Sequence, residues 1–210
     1  MKKTITTALE VTTTMTWMKI KPKKNKNMYQ ISIISSSIRA GKKSDTVAVY
    51  LENYIRKNKL ANVEILDLKK FDFPLFDELL KNQKNPSLSA LEFKNKIIAS
   101  DGIIIVTPEY NGSIPASLKN VIDLLHEEWM NKTIAFSTVS AGNLGGLEAL
   151  THLEFIFKKM GAIVDPANFS VSKIQENFDD FGTPLDPHKS DELAKIFLDE
   201  FFRYIKTNKQ

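Results

Sequence analysis

The sequence predicts an α/β fold, a doubly wound five-stranded parallel sheet with helices on both faces. Residues 103–106 are four consecutive β-branched residues, a run typical of a strand that is buried on both faces of a parallel sheet. A polar turn and a helix with one apolar face follow this strand, as in one half of a βαβ unit. Similar apolar runs and helical patterns alternate from Met28 onwards, which favours parallel strands connected by helices.

The first elements after Met28 are a strand, a helix and a second strand. The apolar residues of 29–34 predict the first strand, and those of 63–67 predict the second. Residues 45–57 predict the intervening helix, because their apolar side chains share one helical face. These side chains are Val47, Leu51, Tyr54 and Ile55.

A long connection over 68–86 separates the second strand from the next helix. Phenylalanines and prolines interrupt any regular pattern in this connection. Residues 87–99 then predict a helix, in which Ser89 and Glu92 have the spacing of an N-terminal capping box.

The third strand leads into the part of the chain with the most specific sequence. Thr107 and Pro108 are expected to end the strand, since proline cannot donate to a ladder. Ser113 is placed as the N-cap of the following helix, and Pro115 in its first turn, where a missing N–H costs little. The apolar face of this helix is Ile114, Leu118, Val121, Ile122 and Leu125.

Two strands and two helices complete the chain. Residues 132–138 predict the fourth strand and residues 162–171 the fifth. Helices are predicted over 144–159, which Gly161 closes, and over 189–206. Their apolar faces are Leu144, Leu147, Leu150, Leu153 and Phe157 in the first, and Leu193, Ile196, Phe197, Phe201 and Tyr204 in the second.

Length and composition are those of a globular protein with a single domain. The chain has 210 residues, of which 42% are hydrophobic and 26% charged. It contains no cysteine, which excludes disulfides, thiolate metal sites and cysteine nucleophiles. No apolar run approaches the roughly 18 residues that a membrane span needs, so we expect no membrane partner.

The formal net charge of +4 comes from the first 27 residues. Seven of the 29 basic and one of the 25 acidic residues lie there, which leaves 22 basic and 24 acidic residues, a net charge of −2, for 28–210. A nearly neutral body argues against a nucleic-acid partner. We interpret 1–27 as a disordered basic tail; a start assigned too far upstream and a functional lysine-rich arm are alternatives. Glu10 interrupts the only candidate for a secretory apolar region, so we expect a cytoplasmic protein.

Two loops that follow strands carry the residues that suggest a ligand. Residues 35–45 contain serines, lysines, a glycine and Arg39 at the start of a helix, a combination that can hold a phosphate. A serine-rich cap with solvated lysines is the alternative. The loop matches neither the P-loop nor the G-x-G-x-x-G pattern. Residues 139–149 contain three glycines, which either let the backbone approach a planar ligand or form a plain turn.

Three segments together resemble the NADPH-dependent FMN reductase family. They are S-x-R-x-G-K from Ser37, the segment TPEYNGSIPASLKN from Thr107, and S-x-G-x-x-GG from Ser140. The resemblance covers about 28–190 and implies a flavodoxin-like fold for an FMN-binding domain over 28–210. Members of the family include quinone, azo-dye and chromate reductases.

The resemblance also implies a set of cofactor-binding residues. Ser37 and Arg39 would hold the FMN phosphate, with a backbone contact from Ile38, and Ser36 stands where the family usually has glycine. The isoalloxazine ring would lie against Pro108, Glu109, Tyr110 and Asn111, and its pyrimidine end against Ser140, Gly142 and Gly145.

The function that follows is an FMN-dependent NAD(P)H oxidoreductase. The flavin would carry the chemistry, so no catalytic side chain and no metal are expected. A small acceptor, such as a quinone, azo compound, free flavin or chromate, would be reduced by a ping-pong route, and the protein would be a homodimer or homotetramer. A flavodoxin-type electron carrier and a flavin-binding protein without turnover are the alternatives.

Overall fold

A computed structural model describes residues 28–209, so the interpretation of 1–27 as a tail lies outside the described residues. The strands are β1 (Gln30–Ser35), β2 (Asn62–Asp67), β3 (Gly102–Pro108), β4 (Thr133–Val139) and β5 (Ile163–Asn168). The helices are α1 (Ser44–Lys57), α2 (Leu68–Phe71), α3 (Leu88–Ala99), α4 (Ala116–Leu124), α5 (Leu147–Lys159), α6 (Ile174–Asn177) and α7 (Pro187–Asn208). None of the helices within 28–209 combines the length and apolar character that a membrane span requires.

The five strands form one parallel sheet in the order β2-β1-β3-β4-β5. This is the order of flavodoxin-like doubly wound sheets, and it confirms the predicted fold class. The chain leaves β1 toward β2 on one side and returns to β3 on the other, so the strand order reverses between β1 and β3. Ligands of such sheets bind at the carboxyl ends of the strands, beside this point.

The sheet separates two hydrophobic layers. One contains the buried side chains of α1 and α7, and the other those of α3, α4 and α5. Along β3, Ile103 and Ile105 face the second layer, whereas Ile104 and Val106 face the first. Successive side chains of a strand point to opposite faces, so a strand covered on both sides needs an uninterrupted apolar run.

The third strand ends at Pro108, as predicted. Thr107 and Pro108 are its last two residues and still pair with Thr138 and Val139 of β4. A proline at the last position of a strand removes only its own N–H, which the ladder tolerates there. The turn that follows is closed by two backbone hydrogen bonds between Tyr110 and Ser113.

Both predicted serine caps were wrong. Ser113 does not cap α4, whose N-cap residue is Pro115, and its hydroxyl instead lies 2.8 Å from His152 Nδ1. In α3 the cap is Ser87, whose Oγ accepts a hydrogen bond from the N–H of Ala90. Ser89 lies two residues further on, inside the helix.

The later helices also differ from their predicted bounds. Helix α5 begins at Leu147, so Leu144 lies in the preceding loop and is 74% exposed. Helix α7 extends beyond the predicted range at both ends, and Leu193 and Ile196 are exposed on it. Its buried side chains are Ala194, Phe197, Leu198, Phe201 and Ile205. The prediction that Gly161 closes α5 is confirmed, since it follows the C-cap residue with a φ of 79°.

Candidate functional site

A cleft of about 460 Å³ lies at the carboxyl edge of the sheet. The loops after β1, β3 and β4 form most of its wall, and α6 completes it. The lining residues are Arg39, Lys42, Lys43, Ser44, Pro108, Glu109, Tyr110, Val139, Ser140, Ala141, Gly142, Asn143, Leu144, Gly146, Ile174 and Gln175.

Arg39 and Tyr110 join the first and second of these loops. The guanidinium carbon of Arg39 lies 5.4 Å from the centre of the Tyr110 ring, and Tyr110 OH lies 2.7 Å from the buried Ser37 Oγ. Among the residues that the structure describes, Arg39 has no carboxylate within ion-pair distance. Its charge is therefore available to an anion, and its side chain is held by a cation–π contact.

Two buried hydroxyls near this loop have no hydrogen-bond partner. They belong to Ser36 and Ser44, which are 0% and 1% exposed. Ser44 is the first residue of α1 and lines the cleft, and α1 begins without a side-chain cap. A buried hydroxyl without a partner is costly, and a helix N-terminus favours an anion. A phosphate ester fits this end of the cleft.

The first loop adopts its shape without strain at Ser36. Its φ is not positive, so the serine fits where a glycine is usual in the family that the sequence resembles. The Ser36 N–H donates to the Val106 carbonyl, and the Ser117 hydroxyl donates to the Ser36 carbonyl. The loop is thereby tied to β3 and α4.

A tight turn holds Tyr110 at the cleft. Asn111 and Gly112 have φ values of 52° and 71°, the pattern of a two-residue type I′ turn, in which asparagine and glycine are favoured. Beside it, Glu109 Oε2 accepts a hydrogen bond from the backbone N–H of Glu148 in α5. The loop after β3 is thus fixed to α5, the helix that follows the loop after β4.

The loop after β4 presents backbone to the cleft. A Cβ placed on Gly142 would meet no protein atom within 4 Å, so the space beside it is open. Gly146 has a φ of 83°, and a Cβ there would lie 2.9 Å from Thr138 Cβ. The Gly142 and Ser140 carbonyls accept hydrogen bonds from the N–H groups of Lys173 and Ile174. The start of α6 therefore holds this loop in place.

The cleft brings most of the predicted cofactor residues together. Arg39, Pro108, Glu109, Tyr110, Ser140 and Gly142 all line it. The other four do not. Ser37 reaches the site through Tyr110, Ile38 is 53% exposed, and Asn111 lies in the turn. Gly145 lies beside Ser170, and its carbonyl accepts a hydrogen bond from the Thr138 hydroxyl.

Several lining residues were missed. Lys42, Lys43 and Ser44 lie in the polar loop that the sequence singled out, so their position was a usable signal. Ile174 and Gln175 come from a segment after β5 with no motif, and only the fold brings them to the cleft.

The chemistry of the two ends suits FMN. Hydroxyls, lysines and an arginine gather at α1, whereas an aromatic ring, apolar side chains and a glycine with open space lie toward β3 and β4. The first end fits the phosphate and the second a planar ring. Within 28–209, no group of three or more His, Cys, Asp or Glu side chains is arranged to hold a metal ion.

Comparison with known proteins also points to FMN. Residues 29–176 match the family model described as NADPH-dependent FMN reductase. The chain is similar to a quinone reductase of Pseudomonas putida, with 29% identity over 87% of this chain and 97% of that protein. It is also similar to an FMN-dependent NADPH-azoreductase of Staphylococcus haemolyticus, with 26% identity over 84% and 95% of the two chains.

The fold is similar to that of the flavoenzyme NAD(P)H:(acceptor) oxidoreductase FerB from Paracoccus denitrificans. The TM-score is 0.69 with 24% identity, over 86% of this chain and 98% of that one. The family match covers well over half of the chain and includes every residue that lines the cleft. The chain therefore belongs to the NADPH-dependent FMN reductase family.

Proposed function

We propose that this protein reduces a quinone or an azo compound with electrons from NAD(P)H. As a member of its family it is an FMN-dependent oxidoreductase. The acceptor is our inference, supported by the names of two relatives, a quinone reductase and an azoreductase, that match nearly along their whole length. A small planar acceptor also suits a cleft of this size.

One observation carries the proposal: groups for an anion and groups for a planar ring line the same cleft. Arg39 and Ser44 would hold the phosphate of FMN, and Tyr110, Val139 and Leu144 would lie near its ring. FMN, when bound, supplies the hydride chemistry. The side chains of the cleft bind and orient the reactants, and we assign no proton transfer to any of them.

The order of events that we propose is ping-pong. In this order both planar reactants use the same space in turn, at the exposed rim of the cleft that includes Leu144. NAD(P)H would bind and leave before the acceptor enters the same space. Double-reciprocal plots of initial rate against NAD(P)H concentration, at several fixed acceptor concentrations, should then be parallel. Intersecting lines would contradict this order.

The test of the function is an anaerobic absorbance titration of protein reconstituted with FMN. We expect the flavin band to bleach on addition of NADPH or NADH. The nucleotide that bleaches the band faster is the preferred electron donor. Adding a benzoquinone or an azo dye should then restore the band. The Arg39→Ala protein, which should hold less FMN, is the matched control.

Two other results would overturn the proposal. A flavin band that binds but does not bleach with either nucleotide would indicate a flavodoxin-type electron carrier. A protein that binds no FMN at all would indicate a fold without the reaction.

We also propose that the protein is a cytoplasmic homodimer or homotetramer. Leu147 and Phe155 are 51% and 72% exposed on α5, two turns apart on one helix. A contiguous exposed apolar patch marks an interaction surface, and we propose that these two side chains belong to one. Light scattering coupled to gel filtration should give a mass of two or four chains, and the double variant Leu147→Glu, Phe155→Glu should lower it. A monomeric wild-type protein would contradict the proposal.

A further inference from the structure

Lys42 lies between the cleft and two carboxylates. Its Nζ is 2.6 Å from Asp67 Oδ1 and 3.0 Å from Asp45 Oδ1, and its side chain is 7% exposed. Lys42 itself lines the cleft, whereas neither aspartate is among the lining residues. Lys42 is therefore a buried cation at the cleft, and its ionic partners Asp45 and Asp67 do not line the cleft.

The two carboxylates are fixed by other parts of the fold. Asp67 Oδ1 also accepts a hydrogen bond from the N–H of Lys69 and so caps α2. Asp45 Oδ1 accepts a hydrogen bond from the hydroxyl of Ser35, at the end of β1. These contacts hold both negative charges beside the end of the cleft where Ser44 begins α1.

A phosphate ester in the cleft would meet these charges. At neutral pH a phosphate monoester carries a charge of about −1.5 to −2. Charges that are shielded from water interact more strongly than exposed charges. The Asp67 side chain is 15% exposed and that of Asp45 is 37% exposed, so an uncompensated Asp67 would oppose phosphate binding more strongly than an uncompensated Asp45. Lys42 lies where it compensates them.

We propose that Lys42 is a positioning residue for the phosphate of FMN, which acts by neutralising Asp45 and Asp67 and need not touch the phosphate itself. This inference rests on the FMN-binding function proposed above. It concerns the phosphate alone, and riboflavin has the same ring without a phosphate. The ratio of FMN affinity to riboflavin affinity therefore isolates the role of Lys42.

The experiment measures both affinities of the apoprotein by quenching of flavin fluorescence. Lys42→Met should weaken FMN binding about tenfold or more and change riboflavin binding less than about twofold. Lys42→Arg keeps the charge and should retain most of the FMN affinity. Lys195→Met is the matched control, because Lys195 forms an exposed ion pair with Asp199 on α7, and should alter neither affinity.

A second pair of variants separates compensation from direct contact. Asp67→Asn keeps the Oδ1 acceptor for Lys69 but removes the charge, so this variant alone should bind FMN several-fold more tightly. The double variant Lys42→Met, Asp67→Asn should recover much of the affinity that Lys42→Met loses. Asp67→Asn alone keeps the inference testable even if the lysine variants fail to fold.

Each contrary result has a distinct meaning. An equal loss for FMN and riboflavin in Lys42→Met, a loss that persists in the double variant, or no gain in Asp67→Asn would overturn the inference. Wild-type protein that fails to bind FMN would instead overturn the proposed function.

Discussion

Arg39 is the cation in the cleft that has no ionic partner among the described residues, and its contact there is with the ring of Tyr110. Because its charge is not used by the fold, Arg39→Ala should leave stability nearly unchanged. It should weaken FMN binding by about 1.5–3 kcal/mol, the range for a hydrogen bond to a charged group. A fluorescence titration with FMN measures this change. Unchanged affinity would remove Arg39 from the site.

Gly142 and Gly146 are four residues apart in one loop, yet alanine should act on them in opposite ways. At Gly146 a Cβ would lie 2.9 Å from Thr138 Cβ, and the φ of 83° disfavours any other residue. Gly146→Ala should therefore lower the free energy of unfolding by at least about 1–2 kcal/mol. Gly142→Ala meets no protein atom and should keep the wild-type stability, but it should weaken flavin binding.

Urea unfolding and flavin titration of both glycine variants test this pair. A destabilised Gly142→Ala protein would show that the loop is more tightly packed than its geometry indicates. Normal flavin binding by a stable Gly142→Ala protein would place the ring away from this loop.

Gly102 lets helix α7 approach the start of strand β3. A Cβ there would lie 2.5 Å from Ile205 Cδ1 and 2.6 Å from Phe201 Cζ, both in the first hydrophobic layer. Gly102→Ala should displace the end of α7 and cost about 1–3 kcal/mol, as overpacking usually does. Hydrogen exchange should show faster opening of the last turns of α7 in the variant. Protection equal to that of the wild type would mean that the two side chains rotate away without cost.

The strands and helices also show which parts of the structure could be predicted from the sequence. The run 103–106 predicted the central strand and its burial on both faces. Successive side chains of a strand point to opposite faces, so a strand between two hydrophobic layers needs consecutive apolar residues. The caps were less readable. Ser87 and Ser89 are two residues apart and chemically identical, and only the backbone geometry decides that Ser87 caps α3.

The candidate site divides in the same way. Arg39, Tyr110 and Ser140 lie in loops that follow strands, and they were predicted because the motifs of these loops resemble those of the family. The fold class places these loops at one edge of the sheet. Ile174 and Gln175 reach the cleft because the N–H groups of Lys173 and Ile174 donate hydrogen bonds to the Gly142 and Ser140 carbonyls. A contact between segments about 30 residues apart leaves no local pattern in the sequence.

The buried carboxyl group of Asp165 should make the stability of the protein depend on pH. Asp165 is a buried residue in β5, and one of its oxygens, Oδ2, has no hydrogen-bond partner. Burial is the largest effect on this carboxyl group and raises the pKa of Asp165 to about 6. The hydrogen bond from the Ala167 N–H lowers the pKa, the charge of Glu200 raises it, and the charge of Arg203 lowers it. The folded protein therefore holds this proton more tightly than the unfolded chain, whose aspartates titrate near 3.8.

The sign follows from proton linkage. Between pH 4 and 6 the folded state binds more protons at Asp165 than the unfolded state, so this residue's contribution to stability decreases as pH rises. Asp165→Asn keeps the Oδ1 acceptor for Ala167 and cannot ionise, so its stability relative to the wild type should increase across this range and level off above about pH 7. Urea unfolding of both proteins at pH 4, 5, 6 and 7 measures the difference, in which the contributions of the other carboxylates cancel. A buried carboxyl group with one unpartnered oxygen should lose its proton at a higher pH than an exposed one. A stability difference that stays constant from pH 4 to 7 would therefore show that Asp165 titrates as it does in the unfolded chain.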